Sequence, residues 1–487
     1  MSVSIKMHEV IVVGGGFAGI GAVIKLREAG INDVLLLEKA DELGGVWREN
    51  TYPGCACDVP SALYSFSFAP NPSWSRVFAG QAEIKAYLQG VAESYRVLPM
   101  VKFQHEVITA AWSDTDACWH LQTNHGEFHA RFVIMAGGPM HEPVLPNVPG
   151  LSEFSGDVFH SSRWRHDIDL NNKRVAVIGT GASAIQFVPA IQPTVGKLTV
   201  FQRTPHWVLP KMDQALPGIV QRLFKRLPLA QLAVRGAVFG IFETLNGGMQ
   251  NIAAMKQFQR LAKFNLHRAV KDPMLRSRLT PQYTIGCKRV LQSNDWYPAL
   301  VQPNVDVVSS ALAKVTGNTL VAADGSTYEA DVIILGTGFE IAEPPIAKRV
   351  FNRHGQRMSD VWQGSPEGYM GTMVADCPNA FLMFGPNIAV SSSAFLIIEA
   401  QLAYVVDAIE QARKLNLRSI ETDPLRVADF NARVQSALED SVWNRGGCTS
   451  YFIDRNGRNS TVWPWSTLEM KRQLSQFNLD EYRVTRA

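Results

Sequence analysis

The chain has 487 residues, long enough for two or three domains with separate cores. Its 47 Lys and Arg against 44 Asp and Glu give a formal charge of +3, too weak a field to mark a nucleic-acid partner. No apolar signal core precedes the first strand pattern, and no charge-free run is long enough to span a bilayer. Six cysteines, at 55, 57, 118, 287, 377 and 448, form neither a disulfide framework nor a zinc pattern, so a reduced, cytoplasmic protein without a metal is expected.

The first element is a buried strand running into a glycine-rich turn, Glu9-Val-Ile-Val-Val-Gly14-Gly-Gly16-Phe-Ala-Gly19. Gly14 permits the tight strand-to-helix turn, Gly16 lets backbone approach a pyrophosphate, and Gly19 lets the helix pack on its strand. The helix N-terminus then offers free N–H groups to the anion. Glu38 closes the next apolar run, at about the 20-residue offset where a carboxylate accepts hydrogen bonds from a ribose diol.

A second fingerprint follows, Arg174-Val-Ala-Val-Ile-Gly179-Thr-Gly181-Ala-Ser183-Ala184, so two dinucleotides are expected in one protein. Its next strand ends without a carboxylate, at Gln202-Arg203-Thr204. An acid there would repel a ribose 2′-phosphate, whereas Arg203 can fork onto it, so NADPH is expected over NADH. Two similar strand endings, Arg131 to Pro139 and Ala330 to Phe339, mark where the chain leaves and re-enters the first unit. The fold class is α/β: two Rossmann-like domains, an FAD domain in parts 1–145 and 336–487, and an NADPH domain inserted at 146–335. A helix over 393–414 completes the first domain.

Residues 209–285 form a helical insert in which apolar residues recur at helical spacing and basic residues outnumber acidic ones. The pattern suits a subdomain packed on the NADPH domain at the substrate entrance. Peripheral contact with an anionic membrane is the alternative.

Between the fingerprints stands Phe154-Ser-Gly156-Asp-Val-Phe-His160-Ser-Ser-Arg-Trp164. It resembles the F-x-G-x-x-x-H-x-x-x-W pattern of Baeyer–Villiger monooxygenases, although Arg165 replaces the usual following Pro or Asp. The resemblance extends over nearly the whole chain. Gly44-Gly45-Val-Trp47 with Tyr52 to Asp58 is similar to the family's segment beside the flavin ring, and Gly286-Cys-Lys288-Arg289 to the segment bearing its active-site arginine. Phe201 to Pro205 is similar to the NADP phosphate clamp, and Gly447 to Trp465 to a closing aromatic loop, with Tyr451 and Trp465 where relatives carry Trp and Gly.

The resemblance implies an FAD- and NADPH-dependent enzyme that takes up O2 as a flavin peroxide and turns a hydrophobic ketone into an ester or lactone. Arg289 would stabilise the anion, Asp58 would hold Arg289, and His160 would help position the two domains. Lys288 would bind the 2′-phosphate; Tyr64 and Asn387 would lie among the cofactor contacts. Oxidation at sulfur or nitrogen, an uncoupled NADPH oxidase, and a non-catalytic redox sensor are the alternatives.

Overall fold

The computed structural model of the protein describes residues 6–390 and 392–486. Strand β1 (Met7–Val13) leads into α1 (Phe17–Glu28) and β2 (Val34–Leu37), followed by the short α2 (Val46–Glu49) and α3 (Gln81–Ser94). After β3 (Val101–Lys102), the chain runs through an antiparallel meander of β4 (Val107–Ser113), β5 (Cys118–Thr123) and β6 (Gly126–Met135). The sequence suggested alternating strands and helices here. The meander wins because no apolar stripe of helical period lies between 107 and 135.

A second sheet follows. It comprises β7 (Asp157–His160), β8 (Arg174–Ile178), then α4 (Ala184–Ile191) and β9 (Lys197–Phe201). β10 (Val208–Leu209) opens the helical insert α5 (Gly218–Arg226), α6 (Pro228–Gly248), α7 (Ile252–Ala269) and α8 (Pro273–Arg278), and β11 (Leu291–Gln292) closes it by pairing with β10. Beyond α9 (Trp296–Leu300) come β12 (Val305–Val308), the small antiparallel β13 (Leu312–Thr316), β14 (Thr319–Ala322) and β15 (Thr327–Glu329), and β16 (Val332–Leu335).

The chain then returns to the first sheet through β17 (Val350–Phe351), α10 (Met358–Trp362) and β18 (Ala380–Leu382). α11 (Ala394–Lys414) agrees with the expected helix and starts at a Ser393 cap whose hydroxyl accepts the Phe395 N–H.

Among the described residues the first sheet has strand order β17-β4-β5-β6-β1-β2-β3, with β18 also on β6; the second has order β12-β9-β8-β16-β7. The first draws strands from both ends of the chain, and the second lies wholly within 157–335. Between them the two crossings run side by side, with Val144 N–H donating to the Gly338 carbonyl at 2.9 Å. Strand β1 is flanked by parallel β2 and β6, and its four C-terminal residues are buried on both faces. That is why its sequence is a continuous apolar run instead of an alternating one.

The insert divides between two supports. Leu266 of α7 and Leu279 after α8 join the core of the second sheet. α6 instead rests on residues 62–71 of the first unit and on the C-terminal segment. The insert was expected to pack on the second unit; α7 and α8 do, whereas the polar side chains of α6 find their partners elsewhere.

Candidate active site

The loop after β1 is shaped by close approach. Gly14 has φ of 109°, and a Cβ there would meet the Ala136 carbonyl oxygen at 2.7 Å. Gly19 abuts the Gly14 carbonyl too closely for any side chain. Gly16 faces the Gly45 Cα across the loop, leaving bare backbone at the N-terminus of α1. Glu38 follows β2 and is buried. Its Oε2 accepts the Gly15 N–H at 2.5 Å and its Oε1 the Ala40 N–H at 2.8 Å, so the carboxylate braces the glycine loop and keeps lone pairs for further donors.

Gly45, at φ of 52°, precedes α2, which carries Trp47. The Trp47 indole Nε1–H donates to the Tyr64 hydroxyl at 3.1 Å. Tyr64 sits edge-on to Phe17 and Phe395, with centroids 5.6 and 5.1 Å apart. These rings form one edge-to-face cluster beside the first glycine loop.

Asp58 and Arg289, 231 residues apart, form a two-pronged pair: Nε to Oδ2 and Nη2 to Oδ1, each 2.7 Å. Burial alone would raise the Asp58 carboxyl, but the Arg289 charge and hydrogen bonds outweigh it and hold it below the usual carboxylate range. The same partnership, led by the Asp58 charge, raises Arg289 further.

Two further neighbours stand at the pair: Lys211, which the sequence did not indicate, and Tyr451 of the expected closing loop. Lys211 donates to the Cys57 carbonyl at 3.1 Å and adds positive charge near Asp58. Tyr451 comes from the C-terminal loop to the Arg289 guanidinium. Cys287 and Cys448 form a disulfide, which corrects the expectation of six free thiols; Cys55, Cys57, Cys118 and Cys377 are free. A single pair separated by 161 residues has no spacing signature.

At the second fingerprint Gly179 has φ of 107° and lies against the Gly336 carbonyl, while Gly181 is open and Ser183 precedes α4 at Ala184. Arg203, exposed, and Thr204 follow β9. Burial first, and then the Arg203 charge, depress the Lys288 ammonium, which places the two cations together; no carboxylate offsets this among the described residues. His206 joins them, its imidazole pushed down to about 4 by burial and by Lys288. The loop 52–58 meets this unit through Gln186 of α4, which accepts from the Tyr52 hydroxyl at 3.0 Å and donates to the Ala56 carbonyl at 2.9 Å.

His160 lies at the end of β7, buried beside the returning Gly338–Phe339 segment. Its Nδ1 accepts the Ser162 N–H, so the neutral ring carries its proton on Nε2, and burial pushes its pKa down to about 4. It stands at the domain crossing, away from any pairing with Arg289. Next to it, Arg163 reaches Glu49 of α2 at 2.5 Å. The Asn387 amide turns to the C-terminal segment, donating to the Asn459 and Val462 carbonyls at 2.8 and 3.1 Å, and its Oδ1 is buried without a partner among the described residues.

On the β5–β6 pair, Cys118, His120 and His129 bring their donor atoms within 4.8 Å of one another. Cross-strand register opposes His120 to His129, a grouping that spacing along the chain does not reveal. The Cys118 thiol is pushed up to about 11 by burial and then by Asp116 and Glu127.

The bare cradle at Gly14–Gly16 and the uncompensated cations at Arg203 and Lys288 fit two phosphate-bearing dinucleotides. A Baeyer–Villiger monooxygenase of Streptomyces coelicolor is 47% identical, covering 99% of this chain and 94% of its own. The chain belongs to the Baeyer–Villiger monooxygenase family. A second such enzyme, from Pseudomonas aeruginosa, is 43% identical over 98% of this chain and 91% of its own. Residues 11–229 match the pyridine nucleotide-disulphide oxidoreductase family model. Among solved structures, an oxidised steroid monooxygenase bound to NADP superposes with a TM-score of 0.88 at 28% identity, over 99% of this chain and 100% of that one. This Baeyer–Villiger monooxygenase is thus a flavin-dependent NADPH enzyme using FAD, NADPH and O2. Among the described residues no helix is long and apolar enough to cross a membrane.

Proposed function

We propose that the enzyme acts on a hydrophobic ketone, inserting one oxygen atom beside the carbonyl to give an ester or lactone at the Asp58–Arg289 pair. The bidentate geometry of that pair carries the reading. Bound FAD, once reduced by NADPH, supplies the activated oxygen. That oxygen would bond to the carbonyl carbon, and one substituent of the ketone would then migrate with its bonding electrons from that carbon to it as the O–O bond breaks; the second oxygen atom would leave as water.

Arg289 keeps its charge at every working pH, and Asp58 occupies its Nε–H and one Nη2–H. Three N–H groups remain to meet negative charge developing on the oxygen being transferred or on the former carbonyl oxygen. Asp58 fixes the fork in orientation and offsets the cost of placing a cation in a half-buried cleft. Tyr451 adds a hydroxyl beside the guanidinium. Arg203 and Lys288 hold the 2′-phosphate, with Thr204 beside them, and His160 keeps the linker seated at the domain crossing.

The reading includes a cytoplasmic location, where the Cys287–Cys448 bridge must hold against reducing thiols. Incubating the FAD-loaded enzyme with NADPH, 18O2 and a panel of aliphatic and aromatic ketones, sulfides and amines tests the reaction. One labelled oxygen per ester is expected. Label entering only sulfides or amines, with every ketone unchanged, would transfer the assignment to heteroatom oxidation.

A further inference from the structure

The helical insert presents an apolar surface with its polarity reversed. On α6 the polar side chains turn inward. Gln231 Nε2 donates to the Asn71 carbonyl at 2.8 Å, Arg235 reaches the Ala62 carbonyl and the Ser65 hydroxyl at 3.2 and 3.3 Å, and Asn246 donates to the Trp465 carbonyl at 3.1 Å. Glu243 accepts the Thr467 N–H at 3.0 Å. The outward face carries no charge from one end to the other: it displays Leu229, Leu232, Ala233, Gly236, Ala237, Gly240 and Ile241. Leu229, Leu232 and Ile241 are 78, 60 and 58% exposed. Thr244, also on this face, bonds its hydroxyl back to the Gly240 carbonyl at 2.9 Å.

α5, which packs beside α6, continues the patch. Ile219, Leu223 and Leu227 project at i, i+4 and i+8 with Ile219 69% exposed, and Arg222, Lys225 and Arg226 flank them. No Asp or Glu occurs from 214 to 242, although Arg222, Lys225, Arg226 and Arg235 do. A helix that hides its charges and shows leucines to water needs an apolar cover. A cover that also attracts a rim of guanidinium and ammonium groups is an anionic bilayer surface: acyl chains for the leucines, headgroups for the cations.

We propose that the α5–α6 face is a peripheral docking surface for anionic lipid bilayers, with α6 lying in the membrane plane. Membrane contact was the less favoured sequence reading of this insert; the inward turn of the α6 polar groups reverses that order. The proposal does not depend on which substrate the enzyme oxidises.

Flotation of the FAD-loaded enzyme with vesicles of phosphatidylcholine alone, or with 30% phosphatidylglycerol added, tests it (about 30% being enough to give a negative surface potential). Recovery with the anionic vesicles is expected, falling at least about tenfold in Leu229→Glu/Leu232→Glu and in Arg222→Gln/Lys225→Gln/Arg226→Gln. Both variants should keep wild-type flavin content and NADPH oxidation, which separates lost docking from lost folding. Wild-type enzyme left in the soluble fraction with both vesicles would overturn the proposal. So would light scattering that shows a dimer disrupted by Leu232→Glu, which would make the face a contact between two copies of the chain.

Discussion

Cys287 and Cys448 are joined by a disulfide that ties the segment bearing Arg289 to the C-terminal loop bearing Tyr451. Arg289 lies two residues after one half of the bridge and Tyr451 three residues after the other. The bridge closes a loop of 161 residues in the unfolded chain, so it should stabilise the fold by about 2–4 kcal/mol. Cys448→Ser should lower the thermal midpoint, and dithiothreitol should lower the wild type by the same amount without affecting the variant. A wild-type midpoint unmoved by full reduction would show that the bridge adds nothing in solution. Ester yield per NADPH should also fall in Cys448→Ser, since Tyr451 would lose its tether beside Arg289.

The Asp58–Arg289 fork predicts a graded series. Arg289→Ala should cost about 10²–10³-fold in ester formation, the scale of losing a fixed donor to a developing anion. Flavin reduction by NADPH should persist in it. Arg289→Lys keeps the charge without the fork and should recover only part of the loss. Asp58→Ala should also lose ester formation, although the arginine remains, because the guanidinium is no longer held in one orientation. Rapid-mixing absorbance for the reductive step and product analysis for the ester separate the two halves. Wild-type ester formation in Arg289→Ala would remove it from the chemistry.

Much of this architecture was legible locally. Each glycine fingerprint is contiguous, and its strand, turn and helix report the same geometry, so both glycine turns form at the strand-to-helix junctions expected of them. Asp58 and Arg289 were legible as a pair only through the family resemblance, because nothing in either segment encodes a contact across 231 residues. Lys211 went unread for the same reason, and Tyr451 was legible only as a member of the closing aromatic loop, its contact with Arg289 depending on tertiary packing. The β4–β6 meander was missed because β5 and β6 carry mixed polar and apolar residues, and their alternation becomes clear only once the register pairs His120 with His129.

His160 makes a pH prediction. Its imidazole titrates at an ordinary 6.5 when unfolded and at about 4 in the fold, chiefly through burial, so the folded state resists protonation. Its contribution is fully present above pH 6.5 and is lost progressively as pH falls through about 4. The whole shift is worth roughly 3 kcal/mol. Urea unfolding should therefore give wild type a steeper loss between pH 7 and 5 than His160→Gln, which has no proton to take up. Equal losses would mean that the ring is not held neutral. The two-residue hydrogen bond to Ser162 is replaceable by a glutamine oxygen, so the variant should still fold.

Arg203 and Lys288 are the proposed readers of the ribose 2′-phosphate, and that role is open to a direct test. Their charges sit together without an acidic partner among the described residues, an arrangement that raises the energy of the free site and is relieved by a phosphate dianion. Losing one charged hydrogen bond costs about 1.5–3 kcal/mol, or roughly 10- to 150-fold in affinity. Arg203→Ala should raise KM for NADPH on that scale, and Lys288→Ala by a smaller factor, because a single ammonium cannot fork onto phosphate. KM for NADH should change little in either, since NADH lacks the group they bind. The decisive measurement is the ratio of kcat/KM for the two cofactors. A parallel fall for NADPH and NADH would mean that the residues support the domain and do not read the 2′-phosphate, whereas a collapse of the ratio with NADH unchanged would assign them that role.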